Sequence, residues 1–575
     1  MRFASFWSPR DCTRKVVSTS SVSGLAQRGV ARLRMSTHER DANPRDELPP
    51  SAKRTRVGGD DAPASSTAPC VSVLMPCRNA MPWLPDCVGS VLAQVGLEEH
   101  GGLELIAVDD SSTDGSREWL DALAAALTAR GDDAVGEPAD TSATATATAA
   151  PPPGSSADGD GADEPFPASM LGWESDAHTP LTVEQVAART ARGNRLVVLS
   201  VKAHGPSGQG KALNAAYRAA KADLVGEMES DDLRPPDAFA TLRDALMSNP
   251  EWDCATSRVR LCGWQRPGME RWIDWQNEQV TGEAMRRARF IEIPALRASG
   301  LYRREALERV AMRDGREDDV SDGAPEDEPT SPSMGDEPSW PYRDLWVVDG
   351  VVADCAHDAD PTYDLIERKG RRPSGWWPVD ADFWQRWFAC GLVAGKVREP
   401  LYYWRQYPSQ STRTHDRCSL GQLRRCKAHF LLARGGAARG RCVQVWGTGD
   451  TLAAWVDDLR GVLTGWDKSG FLARSPPALA ASESGAAKLR TELLSAAARA
   501  TVRAVEYRPG APVGKKRLAR EDEASREAVA EAGVKLDALP PIRLFAFGME
   551  KARRKVARTF PRFDAREGDD HWFVG

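Results

Sequence analysis

Val71-Ser72-Val73-Leu74-Met75-Pro76-Cys77-Arg78-Asn79 opens as a short apolar run and breaks at a proline into a polar turn. Two later runs repeat the pattern. Leu103-Glu104-Leu105-Ile106-Ala107-Val108 ends in Asp109-Asp110-Ser111-Ser112-Thr113-Asp114-Gly115-Ser116, and Arg195-Leu196-Val197-Val198-Leu199-Ser200 leads to Gly208-Gln209-Gly210-Lys211-Ala212-Leu213-Asn214. The stretch closes with Leu224-Val225-Gly226-Glu227-Met228-Glu229-Ser230-Asp231-Asp232. Short β-rich runs that end in polar residues and alternate with helical segments predict an α/β fold. In such a fold the C-terminal ends of parallel strands line a ligand crevice.

Composition bounds the rest. A chain of 575 residues has room for two to four domains, and 41% hydrophobic content suffices for cores. The net charge of −6 gives no reason to expect nucleic acid as a partner. No apolar run approaches the roughly 18–20 residues that span a bilayer, so the expectation is a soluble, cytoplasmic protein without a transmembrane segment. The 11 cysteines are odd in number and scattered, which suits a reducing compartment rather than a disulfide framework or a structural zinc site. The 19 tryptophans read mostly as core, with some as flat faces for sugar rings.

Residues 1–69 are expected to be disordered. Residues 1–36 are Arg- and Ser-rich with Asp11 as the one acid, which resembles an organelle transit peptide; a plain tail, or a start at Met35, is the alternative. The main domain is expected over 70–434, interrupted by disordered insertions at about 131–190 and 314–338. A small C-terminal α/β domain is expected over 442–575, with a low-complexity insertion at about 475–535. Within it Val443-Gln444-Val445-Trp446-Gly447-Thr448-Gly449-Asp450 reads as strand, glycine turn and helix. It lacks the third glycine position of a dinucleotide fingerprint, and Asp450 would repel pyrophosphate.

The ordered set P-x-x-N, V-D-D-x-S-x-D-G-S, G-x-x-x-A-x-N and an acidic cluster resembles glycosyltransferase family 2. These are inverting, nucleotide-sugar-dependent enzymes of the GT-A fold, a Rossmann-like mixed sheet. The resemblance assigns uridine binding to the turn Pro76–Asn79 (Pro76, Arg78 and Asn79) and to Asp110, with Asp109 less directly, because a carboxylate can accept the uracil N3–H. It places Lys211 at the uracil or the diphosphate. It makes Asp231, with Glu229 where the family usually has Asp, the ligands of Mn²⁺ or Mg²⁺ against the donor phosphates, with Asp232 beside them. Each has an ordinary structural reading too: Asn79 as a helix cap, Asp114 as the cap of the next helix, Lys211 as a surface lysine.

Trp377-Pro378-Val379-Asp380-Ala381-Asp382-Phe383-Trp384-Gln385-Arg386 resembles the family's E-D-x-D-[FL]-W-x-R signature, with Val379 in place of the first acid. By position Asp380 is the catalytic base; an N-cap is its plain alternative. Asp382 and Arg386 read as braces of the helix. Pro400-Leu401-Tyr402-Tyr403-Trp404-Arg405-Gln406-Tyr407 resembles P-L-Y-x-Y-R-x-H, with Tyr407 where the family has His. His415 is a substitute for that His, and Arg405 a diphosphate contact or a surface cation.

The resemblance thus implies transfer of a sugar from a UDP-sugar to the hydroxyl of a glycan or other acceptor. The overall layout resembles β-1,3-N-acetylglucosaminyltransferase-like proteins, which makes N-acetylglucosamine one donor sugar to test. The rival reading is a GT-A module that has lost turnover and binds a nucleotide sugar or a protein. The departures Glu229, Val379 and Tyr407 all fall in the metal and base motifs.

Overall fold

The structure, a computed structural model, describes residues 68–130, 180–201, 208–263, 267–312, 341–343, 345–348, 351–354, 375–376, 378–432, 436–464, 496–536, 539–560, 563 and 571–575. The expectations for 1–67, for most of 131–190 and for 314–338 lie outside these residues.

The chain builds an α/β core on a seven-stranded sheet of order β10-β5-β6-β4-β1-β2-β3. Strands β1 (Val71–Cys77), β2 (Leu103–Asp109), β3 (Arg195–Ser200) and β4 (Leu224–Glu227) are parallel, with Cys77 level with Asp109 and Leu74 level with Glu227. Every residue of β2, and all but Pro76 of β1, is buried. Both faces of a central parallel strand are covered by helices, so these strands read in sequence as continuous apolar runs rather than alternating ones.

Helices α1 (Leu84–Leu92), α2 (Ser116–Arg130), α3 (Val183–Arg189), α4 (Gln209–Ala219) and α5 (Ala238–Ser248) connect or flank this half. The second half comprises β5 (Cys254–Gly263), α6 (Pro267–Asn277), α7 (Gly282–Ala288), β6 (Leu301–Arg303), α8 (Arg304–Met312), α9 (Val379–Ala389), β10 (Ala394–Gln406) and α10 (Leu420–Leu432). Strand β6 alone runs antiparallel to its neighbours, with Leu301 level with Gly226 at the end of β4. The segment just before β6 is thereby delivered to the same sheet edge as the C-terminal ends of β1, β2 and β4. A three-stranded antiparallel ribbon joins β7 (Leu345–Val348), β8 (Val351–Asp354) and β9 (Gly375–Trp376).

The C-terminal part carries a second, parallel sheet of order β12-β11-β13-β14, made of β11 (Val443–Gly447), β12 (Val502–Glu506), β13 (Ile542–Ala546) and β14 (His571–Val574). The region expected as a low-complexity insertion at 475–535 contributes to it from residue 496 onward. Strand β12 and a helix at Lys515–Glu531 lie there, because Val502 and Val505 are buried against β11. Side chains join this sheet to the rest of the fold. Trp572 packs edge-on against Phe290 at 5.2 Å, and Lys427 Nζ donates to the Ile291 carbonyl at 2.9 Å. No helix among the described residues is long and apolar enough to cross a membrane.

Candidate active site

The loops after β1 and β2 are laced together. The Asp110 amide donates to the Cys77 carbonyl at 2.8 Å. The Asn79 amide donates to Ser112 Oγ at 2.9 Å, and Asn79 Oδ1 accepts from the Thr113 amide at 2.8 Å. Asp114 accepts from the Met81 amide at 2.9 Å and from the Ser116 amide at 3.0 Å, the latter at the first residue of α2. Asn79 and Ser111 sit at φ 49° and 63°, where asparagine is better tolerated than most residues because its short amide bonds locally. Asn79 caps no helix; α1 begins after Trp83.

These loops form one wall of a cavity of about 650 Å³. Pro76, Arg78, Asn79, Asp110, Asp380 and His415 line it together with the three acids Glu229, Asp231 and Asp232, its acidic floor. Asp110 Oδ2 accepts from the Gly208 amide at 3.0 Å, which ties the β2 end to the glycine turn before α4. Other sequence-predicted residues stand outside the lining. Asp109 accepts from the Ser112 amide at 3.3 Å and shapes its own loop. Lys211 is buried in the first turn of α4, while Gln209 and Ala212 on either side of it face the cavity. Arg405 is spent behind the floor: its amide donates to Asp232 at 2.8 Å, its Nε to the Asp231 carbonyl at 2.7 Å, and its guanidinium lies over Trp83 at 4.4 Å. Asp382 and Arg386 are buried partners at 2.8 Å, and Arg343 adds a second bond to Asp382 at 2.5 Å.

The acids on the floor differ in what holds them. Asp232 is turned into the protein, accepting from the Tyr402 hydroxyl at 2.6 Å and the Arg405 amide. Asp231 faces the cavity and accepts from the Tyr407 hydroxyl at 2.7 Å. Burial raises the Asp231 carboxyl, and the Tyr407 bond works against the rise. Glu229 accepts from Gln209 Nε2 at 2.7 Å; burial raises it too, opposed by Arg297 and reinforced by Asp231 and Asp380. Two cavity-facing carboxylates of this kind suit a hard divalent ion that keeps waters and takes further oxygens from phosphates. No cluster of three or more His, Cys, Asp or Glu that could hold a metal occurs among the described residues.

Asp380 stands in the first turn of α9 with its side chain 32% exposed, and its Oδ1 accepts from Arg297 Nε at 3.0 Å. Arg297, 1% exposed, also contacts Glu227 and lies 3.8 Å from Glu229 Oε1. The sequence reading missed this arginine. It also missed Gln209 and Tyr407 as site groups, and the apolar end of the cavity made by Trp272, Trp404, Ile293 and Leu296. Trp272 and Trp404 are core residues whose rings meet at 5.6 Å, and both also line the cavity.

Residues 72–133 match the model of Glycosyl transferase family 2. The match spans the segment from β1 through the two laced loops and α2. No curated protein matches the chain. Among solved structures, similarity extends to TarS of S. aureus in complex with UDP-GlcNAc (12% identity, 68% of this chain and 71% of that one, TM-score 0.32). It extends also to the mannosyltransferase PcManGT of Pyrobaculum calidifontis in complex with GDP-Man and Mn²⁺ (14%, 65% and 65%, TM-score 0.30). A third is glucosyl-3-phosphoglycerate synthase of Mycobacterium tuberculosis with Mg²⁺ and UDP (13%, 64% and 80%, TM-score 0.28). Likenesses of this size assign no residue and no substrate.

Proposed function

We propose that this chain is a nucleotide-sugar glycosyltransferase that moves a sugar from a UDP-sugar to an acceptor hydroxyl by a single, inverting displacement. The observation that carries the reading is convergence: Asp110, Asp231 and Asp380, from three distant parts of the chain, line one cavity with the Pro76–Asn79 turn.

The donor end is the polar wall. Asp110 offers a carboxylate acceptor for the uracil N3–H, and the Pro76–Asn79 turn closes over the base. Glu229 and Asp231 would hold Mn²⁺ or Mg²⁺, which when bound supplies positive charge to the diphosphate. The acceptor end is the apolar wall of Trp272, Trp404, Ile293 and Leu296, with Asp380 at its border. Asp380 takes the acceptor hydroxyl proton as that oxygen forms its bond to the anomeric carbon. The bond from the anomeric carbon to the diphosphate breaks with its electron pair, UDP leaves, and the configuration inverts because only one displacement occurs.

The test is UDP release by residues 65–575 with Mn²⁺ and a panel of UDP-sugars, UDP-N-acetylglucosamine included, beside Asp380→Asn and Asp231→Asn. Release with one donor that is lost in both variants supports the reading and names the sugar. Metal-dependent UDP binding with no release, even when glycan acceptors are added, would favour the binding-module reading. No UDP binding at all would sink both.

A further inference from the structure

Arg297 is a buried cation set between Asp380 and the acids Glu227 and Glu229, and its place follows from topology. It opens the 3₁₀ turn Arg297–Ser299 ahead of β6, and the antiparallel direction of β6 puts that turn beside the end of β4, which carries Glu227 and leads to Glu229. At 1% exposure a lone guanidinium would carry a heavy desolvation penalty. Three carboxylates surround it instead: Glu227 in contact, Asp380 Oδ1 at 3.0 Å, Glu229 Oε1 at 3.8 Å. The guanidinium is itself pinned. The Tyr342 ring lies 5.2 Å from its central carbon, the Tyr342 hydroxyl donates to Glu227 Oε1 at 2.8 Å, and the Arg297 carbonyl accepts from the Tyr302 hydroxyl at 2.6 Å.

Asp380 by contrast has few anchors. It sits one residue inside α9, and its hydrogen bond among the described residues is the one from Arg297 to Oδ1, so Oδ2 is the oxygen left for another group. A base must be held within about 0.5 Å of its productive geometry to be effective, and a carboxylate one-third exposed at a helix start does not hold itself there.

We infer that Arg297 is the positioning residue for the base: it fixes Asp380 through Oδ1, directs Oδ2 to the acceptor, and binds the base to the same charge cluster as the donor-side acids. The inference rests on the reading of Asp380 as base. It makes Arg297 essential to the chemical step and dispensable for nucleotide binding. When Asp380 takes the acceptor proton its charge is lost, and the Arg297 guanidinium 3.0 Å from Oδ1 favours return of that proton to water, which restores the ion pair before the next cycle.

The experiment uses the donor picked out by the panel above, with water as acceptor, in Arg297→Lys, Asp380→Asn and the double variant, reading UDP release and Mn²⁺-dependent UDP affinity. A lysine keeps the charge and loses the fork that grips a carboxylate. In Arg297→Lys, kcat is expected to fall about 10–100-fold while the UDP Kd stays within about threefold, since an interaction made only on the way to the transition state leaves ground-state binding alone. Asp380→Asn in the Arg297→Lys background is expected to cost less than about threefold more than the larger single effect, because the two act as one unit. A loss of kcat that multiplies across the pair, or a Kd that climbs in step with the loss of kcat, would overturn the inference while leaving the base reading intact. Full activity in Asp380→Asn would overturn the base reading itself. If Arg297→Lys does not fold, Tyr342→Phe takes its place. It removes a bond that holds Glu227 beside Arg297, and Tyr342 is not among the residues that line the cavity. A smaller kcat loss, of about three- to tenfold, is then expected, again non-additive with Asp380→Asn; unchanged kcat would overturn the inference.

Discussion

Tyr407 donates its hydroxyl to Asp231 Oδ2 at 2.7 Å, so the position where the family resemblance leads one to expect histidine instead holds a phenol on the floor acid of the cavity. The ring is seated 5.8 Å from Trp83, beside the Arg405 guanidinium that lies over the same indole. The phenol therefore fixes one Asp231 oxygen and aims the carboxylate.

Tyr407→Phe removes the donor and keeps the ring. A hydrogen bond to a charged group contributes roughly 1.5–3 kcal/mol. Metal-dependent UDP affinity is expected to weaken about tenfold, since part of that loss is offset by water entering the open cavity. Titration of UDP with and without Mn²⁺ checks it; equal weakening in both conditions would mean that Tyr407 acts on the nucleotide and not through Asp231.

Asp382 gives a stability prediction with a defined sign. Burial alone would raise its carboxyl, but Arg343 and Arg386 outweigh burial and hold it at about 2, below the ordinary 3.8. A carboxylate with a depressed folded value stabilises the fold above its unfolded value, and the contribution is lost as pH falls from about 4 through about 2. Asp382→Asn should lose roughly 3–5 kcal/mol at pH 7, since it leaves two guanidiniums in the interior without their acid. Its stability should also vary less with pH than that of the wild type between about 4 and 2. Urea unfolding at pH 7 and pH 3 measures both; an equal deficit at the two values would remove the pair from the explanation.

The strand ends that form the polar wall were legible because parallel strands buried on both faces leave unbroken apolar runs, and the polar residues that stop them cluster at one sheet edge. Arg297 was not legible. Its turn has no periodicity, and its partners Glu227 and Asp380 lie 70 and 83 residues away along the chain. Lys211 and Asp109 show the converse. Their motifs point to a ligand, yet the first turn of α4 presents Gln209 and Ala212 to the cavity on either side of Lys211, and Asp109 turns to its own loop. Strand β12 was hidden by composition: Val502 and Val505 pack against β11, but Arg503, Ala504 and Glu506 between and after them dilute the pattern to that of a charged tract.

Gly226 marks where the sheet leaves no room. It is paired with Val73 of β1 on one side and Leu301 of β6 on the other, and a Cβ there would lie 2.6 Å from Phe239 Cε1. Gly226→Ala is expected to destabilise by about 1–3 kcal/mol through overpacking. Phe239→Leu opens the space, so the double variant should be more stable than the sum of the two single losses implies. Additive losses would place the strain elsewhere than at Phe239.

Asp114 separates loop architecture from ligand contact. It touches the Met81 and Ser116 amides, and it is absent from the cavity lining. Burial raises its carboxyl, and the Ser116 and Met81 bonds together overcome that and lower it, as expected for an ionised loop staple. Asp114→Ala should lose about 0.5–2 kcal/mol, the range for a lost cap. Because Asn79 and Arg78 hang on the loop it staples, UDP affinity should fall by about three- to tenfold, although Asp114 meets no part of the nucleotide. Asp114→Asn keeps an acceptor oxygen for one of the two amides and should retain most of the affinity. Calorimetric titration of UDP against the three proteins decides it. Unchanged affinity in Asp114→Ala would mean that the Pro76–Asn79 turn holds its shape without the staple, and that Asn79 is set by its own bonds to Ser112 and Thr113 alone.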